Sequence, residues 1–435
     1  EAVRSASDRP VTTNMMDFFR PYDYFRFAPQ LDIISWDSYP EWHSQADETQ
    51  VAMHTAAWHT LMRSLKKAPF LLMESTPSIV NWKPLNTQKR PGLHELSSMQ
   101  AIACGSNSVQ YFQWRKGRGS SEKFHGAVVD HKNGGNTRVF REVAALGERM
   151  ERLSDSVYST CNEPKAAILF DWENWWAVED IQGPRRDMAY LDTVLAHFKA
   201  FWELGVEVDF ISEDDTMEGY TLVTAPMAYL YKDGYVQRVK DYVKRGGAYV
   251  STCFGGVVDE TDLCFIGKHP LEEVLGIRPE EMDAASCYQP NSLTFDGKRW
   301  AVGCLREISN PVEEVEVLAS YETDYYEGVP AVTRREYGEG KAYYLACETE
   351  EGFLSAFYGK LIRELGIAGE FTGKLPYGVA VSKREGNGEF WFIQNFNREE
   401  TQLELPFAAA VVPGGTPLEG SVTLKPYECL VLKRA

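Results

Sequence analysis

Glu74 is the residue whose type and position best suit catalysis. It ends an apolar run from Pro69 to Met73 and precedes Ser75-Thr76-Pro77, so its carboxylate stands where a buried strand gives way to a loop. Where parallel strands are joined by helices, the carboxyl ends of the strands carry the catalytic groups, and a carboxylate there can act as a nucleophile. The alternative is a structural glutamate that caps a helix or forms an ion pair.

Aromatic and polar side chains accompany Glu74 in the first third of the chain. The set that follows the predicted strands comprises Trp36, Asp37, Tyr39, Trp42, Trp82, Phe112, Trp114, Glu122 and His125. Aromatic faces stack on the apolar C–H faces of sugar rings, and polar groups around a carboxylate bind hydroxyls. The pattern therefore predicts a pocket for a polyhydroxylated ring. The alternative for a single member such as Trp36 or Phe112 is that it fills the core.

The elements that must position these residues alternate between strands and helices. Apolar runs predict strands at 10–14, 31–39, 69–74 and 108–114, and the stretches between them predict helices at 17–28, 46–67, 93–103 and 137–152. Such alternation is typical of a parallel sheet covered by helices, in which the strand ends form a common rim. We interpret residues 1–153 as the C-terminal half of a catalytic (β/α)8 barrel.

The visible strand–helix units are too few to close an eight-stranded barrel, because an open half would expose edge strands and an inner face built for burial. The chain also begins at Glu1-Ala2-Val3-Arg4, without an initiator methionine. We therefore expect it to be the C-terminal portion of a longer assembly, with the N-terminal half of the barrel in the same polypeptide or in a separate chain. The alternative is a complete, smaller α/β sheet.

The rest of the chain predicts two further domains. Residues 154–165 are polar and indicate a linker, after which strands and helices alternate again, with Gly205 and Gly246 at helix ends. This alternation predicts a doubly wound α/β domain over 165–370. From 374 to 435 apolar residues recur with period two between Gly, Asn and Pro turns, which predicts a small antiparallel β domain.

Composition limits the partners that the chain can have. It holds 45 Lys plus Arg against 63 Asp plus Glu, and this net charge of −18 disfavours nucleic acid and anionic membrane surfaces. No apolar run is long enough to span a bilayer. The eight cysteines lack a CxxC pair, which favours reduced thiols and a cytoplasmic location over a disulfide framework or a zinc site.

Five strings along the chain resemble the β-galactosidases of glycoside hydrolase family 42. They are Thr13-Asn14, Ile34-Ser35-Trp36-Asp37-Ser38-Tyr39-Pro40, Leu72-Met73-Glu74-Ser75-Thr76-Pro77, Gln110-Tyr111-Phe112-Gln113-Trp114-Arg115 and Phe170-Asp171-Trp172-Glu173-Asn174-Trp175-Trp176. The resemblance covers essentially the whole chain. It implies that Glu74 is the catalytic nucleophile, at the end of the seventh barrel strand.

The resemblance also implies a set of substrate-binding residues. Trp82 and Phe112 match aromatic walls of the galactose subsite. Glu122 and His125 match the pair that holds the sugar hydroxyls. Tyr39 is similar to the family's tyrosine beside the nucleophile.

The activity that the resemblance implies is removal of terminal non-reducing β-D-galactose with retention of configuration. Retaining enzymes use two carboxylates about 5 to 5.5 Å apart, one as nucleophile and the other as acid/base. The acid/base and the family's zinc-binding cysteines would both lie upstream of residue 1, so within this chain we expect no metal and no cofactor. The alternative is a non-catalytic sugar-binding or assembly module that lacks the acid/base.

The domain at 165–370 is similar to the amidotransferase-like domain that mediates trimer formation in the family, so we expect a homotrimer. Trp172, Trp175 and Trp176 would then belong either to the subunit contact or to the core.

Two strings in this part of the chain imitate catalytic motifs. Asn162-Glu163-Pro164 resembles a glycosidase acid motif but follows the last barrel strand, so we interpret Glu163 as linker. Cys253 follows a strand in an amidotransferase-like turn, but Ser251 replaces the turn's usual glycine. We therefore interpret Cys253 as structural.

Overall fold

The computed structural model describes residues 2–43, 47–285, 288–371 and 373–435. The chain divides into two compact units, one formed by Glu1–Glu163, Trp202–Glu207 and Gly369–Ala435 and the other by Pro164–Phe201 and Val208–Ala368. The C-terminal segment therefore belongs to the same unit as the N-terminal segment. Within the described ranges, no helix has the length and apolar character needed to cross a lipid bilayer.

The N-terminal segment forms a parallel sheet with helices between its strands. The strands are β1 (Asn14–Met15), β2 (Ser35–Asp37), β3 (Phe70–Glu74) and β4 (Ser106–Val109). The helices are α1 (Ala2–Ala6), α2 (Tyr24–Phe27), α3 (Glu48–Ser64), α4 (Leu93–Ala103) and α5 (Arg138–Val157). The four strands pair in parallel in the order β1-β2-β3-β4, so their carboxyl ends share one edge.

Side-chain caps explain where the two long helices begin. Asp47 accepts a hydrogen bond from the backbone N–H of Gln50 at the start of α3, and Thr137 accepts one from Phe140 at the start of α5. α3 is buried along nearly its whole length, whereas α5 buries a single apolar stripe. Residue 46, where the sequence predicts the start of the first of these helices, lies outside the described residues.

The strands predicted at 10–14 and 31–39 are shorter than expected, at Asn14–Met15 and Ser35–Asp37, and two further elements also differ from the prediction. The helix predicted at 17–28 is wrong over most of its length, because only Tyr24–Phe27 is helical. Pro21 has no N–H to donate, and Asp23 caps a new start three residues before Arg26. The strand predicted at 108–114 is confined to Ser106–Val109. The residues that follow leave the ladder and enter the candidate site.

Residues 164–368 fold around a mixed sheet. The strands are β5 (Ala166–Leu169), β6 (Val208–Ile211), β7 (Leu222–Ala225), β8 (Leu230–Tyr231), β9 (Ala248–Thr252), β10 (Val258–Asp259), β11 (Ile277–Ala284), β12 (Asn291–Phe295), β13 (Lys298–Pro311), β14 (Glu316–Ser320), β15 (Pro330–Tyr337), β16 (Gly340–Leu345) and β17 (Cys347–Thr349). The helices are α6 (Trp172–Asp180), α7 (Tyr190–Glu203), α8 (Tyr235–Lys244), α9 (Glu272–Leu275) and α10 (Phe353–Glu364).

The main sheet of this unit has seven strands in the order β14-β15-β16-β9-β7-β5-β6. It is parallel from β16 to β6 and antiparallel from β14 to β16. Strands lie on both sides of β5, which comes first in the chain, and this is the order of a doubly wound domain. A second, antiparallel sheet contains β11, β12, β13 and β17.

Aromatic side chains fill the core next to β5. Trp172 and Trp175 of α6 are 0% and 5% exposed, and both rings contact Phe170. The ring of Phe170 also stacks on Tyr190, with centroids 5.8 Å apart. The interpretation that places Trp172 and Trp175 at a subunit contact is therefore wrong, because both side chains are already enclosed within their own unit.

The C-terminal segment is an antiparallel sheet. Its strands are β18 (Val379–Glu385), β19 (Glu389–Asn395), β20 (Thr401–Val411), β21 (Pro417–Leu424) and β22 (Cys429–Arg434), in the order β18-β19-β22-β20-β21. One face packs on α4 and α5 through a buried cluster that includes Leu93, Leu96, Met99, Leu153, Phe390, Phe392 and Val431. Arg384 of this sheet donates to the carbonyl oxygens of Ile102 at 2.9 Å and Ser106 at 3.1 Å. The sheet therefore supports the connection that leads into β4.

Candidate active site

The ends of β2 and β3 bring two carboxyl groups together. Asp37 and Glu74 are each the last residue of their strand and are Cα partners in the ladder. The backbone N–H of Ser38 donates to the carbonyl oxygen of Glu74 at 2.9 Å and fixes this register. Both side chains are half-buried, at the edge where a parallel sheet presents its functional groups.

Tyr39 binds the Glu74 carboxylate directly. Its hydroxyl donates a hydrogen bond to Glu74 Oε2 at 2.8 Å. Burial, and after it the negative charge of Glu74, raises the pKa of Tyr39 above its ordinary value. The phenol therefore remains a neutral donor. The structure brings the predicted tyrosine into contact with the predicted nucleophile.

Asp37 is held from the other side by β1. Asn14 Nδ2 donates to Asp37 Oδ2 at 2.8 Å. The second oxygen, Asp37 Oδ1, is buried and accepts no hydrogen bond from any described residue. Burial, the largest cause, and the neighbouring Glu74 raise the pKa of Asp37 to about 6, although the bond from Asn14 acts to lower it. Sequence analysis placed Asp37 at a strand end but assigned it no role.

Four predicted side chains form one aromatic cluster beside Glu74. The ring of Tyr39 meets Trp82 edge-on, with centroids 4.8 Å apart, and Trp82 stacks on His125 at 5.1 Å. Phe112 meets the same imidazole edge-on at 5.0 Å. Because Trp82 is 51% exposed, its indole retains a free face that can stack on a ligand ring.

His125 is the buried centre of this cluster. It is 0% exposed, and burial lowers the pKa of its imidazole, so the ring is neutral at pH 7. Its Nδ1 lies 3.0 Å from the carbonyl oxygen of Gly126, which makes Nδ1 the protonated nitrogen and leaves Nε2 as an acceptor. Glu122 is exposed on the short 3₁₀ turn just before His125, and its charge acts to raise the pKa of that imidazole.

Two loops are tied together beneath the cluster. The N–H of Gly126 donates to the carbonyl oxygen of Ile79 at 2.7 Å. A Cβ at position 126 would lie 2.4 Å from Ser78 Oγ, so only glycine allows this approach. The N–H of Phe112 donates to the carbonyl oxygen of Ser75 at 3.0 Å. The segment after β3 thereby positions both Phe112 and His125.

Lys89 supports the same segment from below, and sequence analysis missed it. Its Nζ donates to the carbonyl oxygen of Thr76 at 2.7 Å. Its backbone N–H donates to the carbonyl oxygen of Ser78 at 3.0 Å. The side chain is fully enclosed, and burial lowers its pKa to about 7. Lys89 also lines a small, partly open pocket next to the site, together with Thr76 and Lys83. Nothing in its polar sequence neighbourhood signals burial.

The two sequences that resemble catalytic motifs, Asn162-Glu163-Pro164 and the turn at Cys253, take no part in this site. Asn162 uses its side-chain amide to bind the carbonyl oxygen of Ala103 at 2.9 Å and Glu207 Oε1 at 2.6 Å, while Glu163 is exposed. Cys253 is enclosed in its own unit, where burial raises the pKa of the thiol well above its ordinary value. The described parts of the chain contain no group of three or more His, Cys, Asp or Glu that could hold a metal ion.

The arrangement suits attack on a sugar by one carboxylate. Glu74 has a neutral donor on one oxygen and an aromatic wall beside it, which are the features that orient a nucleophile and a pyranose ring. Asp37 pairs with Glu74 on the adjacent strand and its pKa is raised by Glu74, so the two carboxyl groups are direct neighbours rather than groups on opposite sides of a bound sugar. A retaining pair needs about 5 to 5.5 Å between carboxylates to accommodate the anomeric carbon.

Comparisons with known proteins cover the whole chain. Family models described as β-galactosidase, β-galactosidase trimerisation domain and β-galactosidase C-terminal domain match residues 1–153, 164–368 and 378–434. β-Galactosidase BglY of Alicyclobacillus acidocaldarius is 45% identical over 98% of this chain and 63% of its own length. β-Galactosidase Pbg of Clostridium perfringens is 43% identical over 98% of this chain and 64% of its own length. The crystal structure of a β-galactosidase from Rahnella sp. R3 matches with a TM-score of 0.92 at 44% identity, over 98% of this chain and 63% of that one.

The chain therefore spans just under two thirds of the length of the relatives that it matches.

Proposed function

Because the chain belongs to glycoside hydrolase family 42, we propose that it carries the nucleophile and most of the galactose subsite of a retaining β-galactosidase. The observation that best supports this proposal is the hydrogen bond from Tyr39 to Glu74 at the edge of an aromatic cluster. A structural glutamate would instead be paired with a cation or a helix end, and Glu74 faces a phenol and a second carboxyl group.

In this proposal β1–β4 are the fifth to eighth strands of a (β/α)8 barrel. Their parallel pairing in sequential order supports the assignment, since barrel strands are neighbours in chain order. The acid/base is then a glutamate on an earlier barrel strand, outside this sequence. Residues 1–153 form the barrel part, 165–370 the α/β domain and 374–435 the small β domain.

The proposed reaction has two steps. A Glu74 oxygen attacks the anomeric carbon while the acid/base protonates the leaving glycosidic oxygen, and the C–O bond to the aglycone breaks. The acid/base then takes a proton from water, which attacks the same carbon and releases galactose and the Glu74 carboxylate. Two inversions at one carbon give net retention. Tyr39 holds the carboxylate in place before attack.

The aromatic cluster and Glu122 are proposed to bind the galactose ring. The exposed face of Trp82 stacks on the apolar side of the sugar, and Phe112 bounds the pocket. His125 is fully enclosed, with its Nε2 buried, so it supports the rings of Trp82 and Phe112 that face the sugar rather than meeting a hydroxyl itself. The exposed carboxylate of Glu122 accepts from a sugar hydroxyl.

A mechanism-based label tests the assignment of the nucleophile. A 2-deoxy-2-fluorogalactoside with a dinitrophenolate leaving group forms a glycosyl-enzyme that hydrolyses slowly, so mass spectrometry can map the labelled peptide. We expect the label on Glu74 in the complete eight-stranded enzyme. A label on any other side chain refutes the assignment, and galactose binding without labelling or turnover favours the sugar-binding module.

Substitution of Glu74 by glutamine gives a quantitative prediction. We expect kcat on nitrophenyl galactoside to fall by about 10³-fold or more, because the amide cannot form the glycosyl ester. The thermal midpoint should change little. Glu163→Gln is the matched control, because Glu163 is exposed and lies outside the site. Near wild-type turnover in Glu74→Gln would contradict the proposed mechanism.

A further inference from the structure

Asp37 is a second carboxyl group beside the nucleophile, and the proposed reaction does not use it. Its strand ends in register with that of Glu74, so the backbone, rather than side-chain flexibility, sets the proximity of the two groups. Carboxyl pairs of this kind share a proton, because two negative charges at contact distance repel strongly where water is scarce.

Only one of the two Asp37 carboxyl oxygens receives a hydrogen bond from the described residues. Oδ2 accepts from Asn14 Nδ2 at 2.8 Å. Oδ1 is buried, and none of the described residues donates to it. A carboxylate oxygen that is removed from water without a donor is costly, whereas a protonated oxygen in the same place is itself a donor.

Neither an additional stretch of polypeptide nor a bound substrate can supply the missing donor to Asp37 Oδ1. Oδ1 is already enclosed by this chain, so a group arriving from outside does not reach it. The titratable groups that face Asp37 are Glu74 from β3, Tyr39 from the loop after β2 and Tyr24 from α2, and all of them are acids. No lysine, arginine or histidine among the described residues forms an ion pair with Asp37. The acceptor within reach is the Glu74 carboxyl group.

We propose that Asp37 is protonated in the resting enzyme at mildly acidic pH and donates a hydrogen bond from Oδ1 to the ionised Glu74, as a positioning residue for the nucleophile. Tyr39 and Asp37 then hold one carboxylate between two neutral donors. Asn14 fixes the orientation of the Asp37 carboxyl group by binding its other oxygen. The proton stays on Asp37 through both steps, so it is neither consumed nor released. This inference rests on the proposed role of Glu74 as nucleophile.

The raised pKa of Asp37, about 6, agrees with this assignment. Above that pH the proton is lost, Asp37 and Glu74 repel each other, and the nucleophile is no longer held in place. The fluorosugar inactivation rate reports this loss, because a dinitrophenolate leaves without help from the acid/base. We expect the rate to fall as the pH rises through the Asp37 titration.

Two substitutions separate this role from a merely structural one. Asp37→Asn keeps the shape and the donor without an ionisable proton, and we expect kcat within about threefold of wild type, with no fall in the inactivation rate over that pH range. Asp37→Ala removes the donor, and at pH 5, where wild-type Asp37 keeps its proton, we expect kcat to fall by about 10²-fold while KM changes little. Asp37→Asn as damaging as Asp37→Ala would overturn the proposal, because the site would then need an ionised carboxylate.

Infrared difference spectroscopy provides a readout that does not depend on turnover. The wild-type spectrum minus that of Asp37→Asn should contain the carbonyl band of a protonated carboxylic acid at pH 5 and lose it at pH 8. A carboxylate band at both pH values would refute the proposal. The fluorosugar label on the wild type distinguishes the role of Glu74 from that of Asp37. A label on another residue refutes Glu74 as the nucleophile. A label on Glu74 without the carbonyl band of a protonated acid refutes only the role of Asp37.

Discussion

At the residue scale, burial decides which site groups carry a charge. It is the largest cause of the pKa shift of Tyr39, of Asp37 and of His125. In each case burial favours the neutral form, so Tyr39 and His125 are neutral at pH 7, whereas Asp37 is neutral only below about pH 6. In the proposed mechanism, such a neutral surrounding leaves the charge of the Glu74 carboxylate uncompensated until the anomeric carbon becomes positive, which favours the transition state over the resting enzyme.

Tyr39→Phe tests the contribution of the phenol to this surrounding. We expect kcat to fall by about 10²-fold with a small change in KM, because the lost hydrogen bond orients the nucleophile rather than the sugar. Tyr158→Phe is a matched control, since Tyr158 is 65% exposed and lies outside the site. A change confined to KM would show that Tyr39 binds substrate instead.

The candidate site could be predicted from sequence to the extent that it follows strand ends. Glu74 ends a predicted strand, and the set that follows the predicted strands includes Tyr39, Trp82, Phe112 and His125. The resemblance to known enzymes then implies a role for each of them. The pairing of Asp37 with Glu74 depends on the strand register, which no spacing within one strand reveals. Their catalytic and binding roles remain predictions that the experiments above test.

At the element scale, the segment after β3 is the part of the fold that shapes the pocket. Lys89 binds its first turn, and Gly126 allows the loop after β4 to touch it. Strand β3 was predictable because its apolar run is unbroken. The burial of Lys89 could not be predicted from the sequence, because it depends on how residues 75–90 fold back on themselves.

The stability of the wild type relative to Lys89→Met should depend on pH. The unfolded chain keeps the lysine proton up to about pH 10.5, whereas the folded chain releases it above about 7. Between these values the unfolded state binds more protons, so the contribution of Lys89 to the free energy of unfolding rises with pH. Chemical denaturation of both proteins at pH 7.5 and 9.5 measures this difference. A free energy of unfolding that falls for the wild type, relative to that of Lys89→Met, as the pH rises would contradict the prediction.

At the scale of the whole molecule, we propose a homotrimer formed through the unit that the trimerisation-domain model matches. The acidic net charge of −18 makes non-specific association unfavourable, so a trimer requires a dedicated contact. Sedimentation velocity at micromolar concentration should give one species of three times the protomer mass. A monomer under these conditions would exclude the trimer.

The packing of the C-terminal sheet on α4 and α5 has a consequence for biosynthesis. The pocket residues occupy the first 125 positions, yet Arg384 and Phe392 complete the support of the helix that precedes β4. A ribosome therefore releases every pocket residue long before the partner strands emerge from the exit tunnel. During that interval the apolar faces of α4 and α5 have no cover and are available to chaperones. Stop codons that remove the C-terminal sheet, and with it Arg384 and Phe392, should consequently destabilise the pocket, although this sheet lies far from it in sequence.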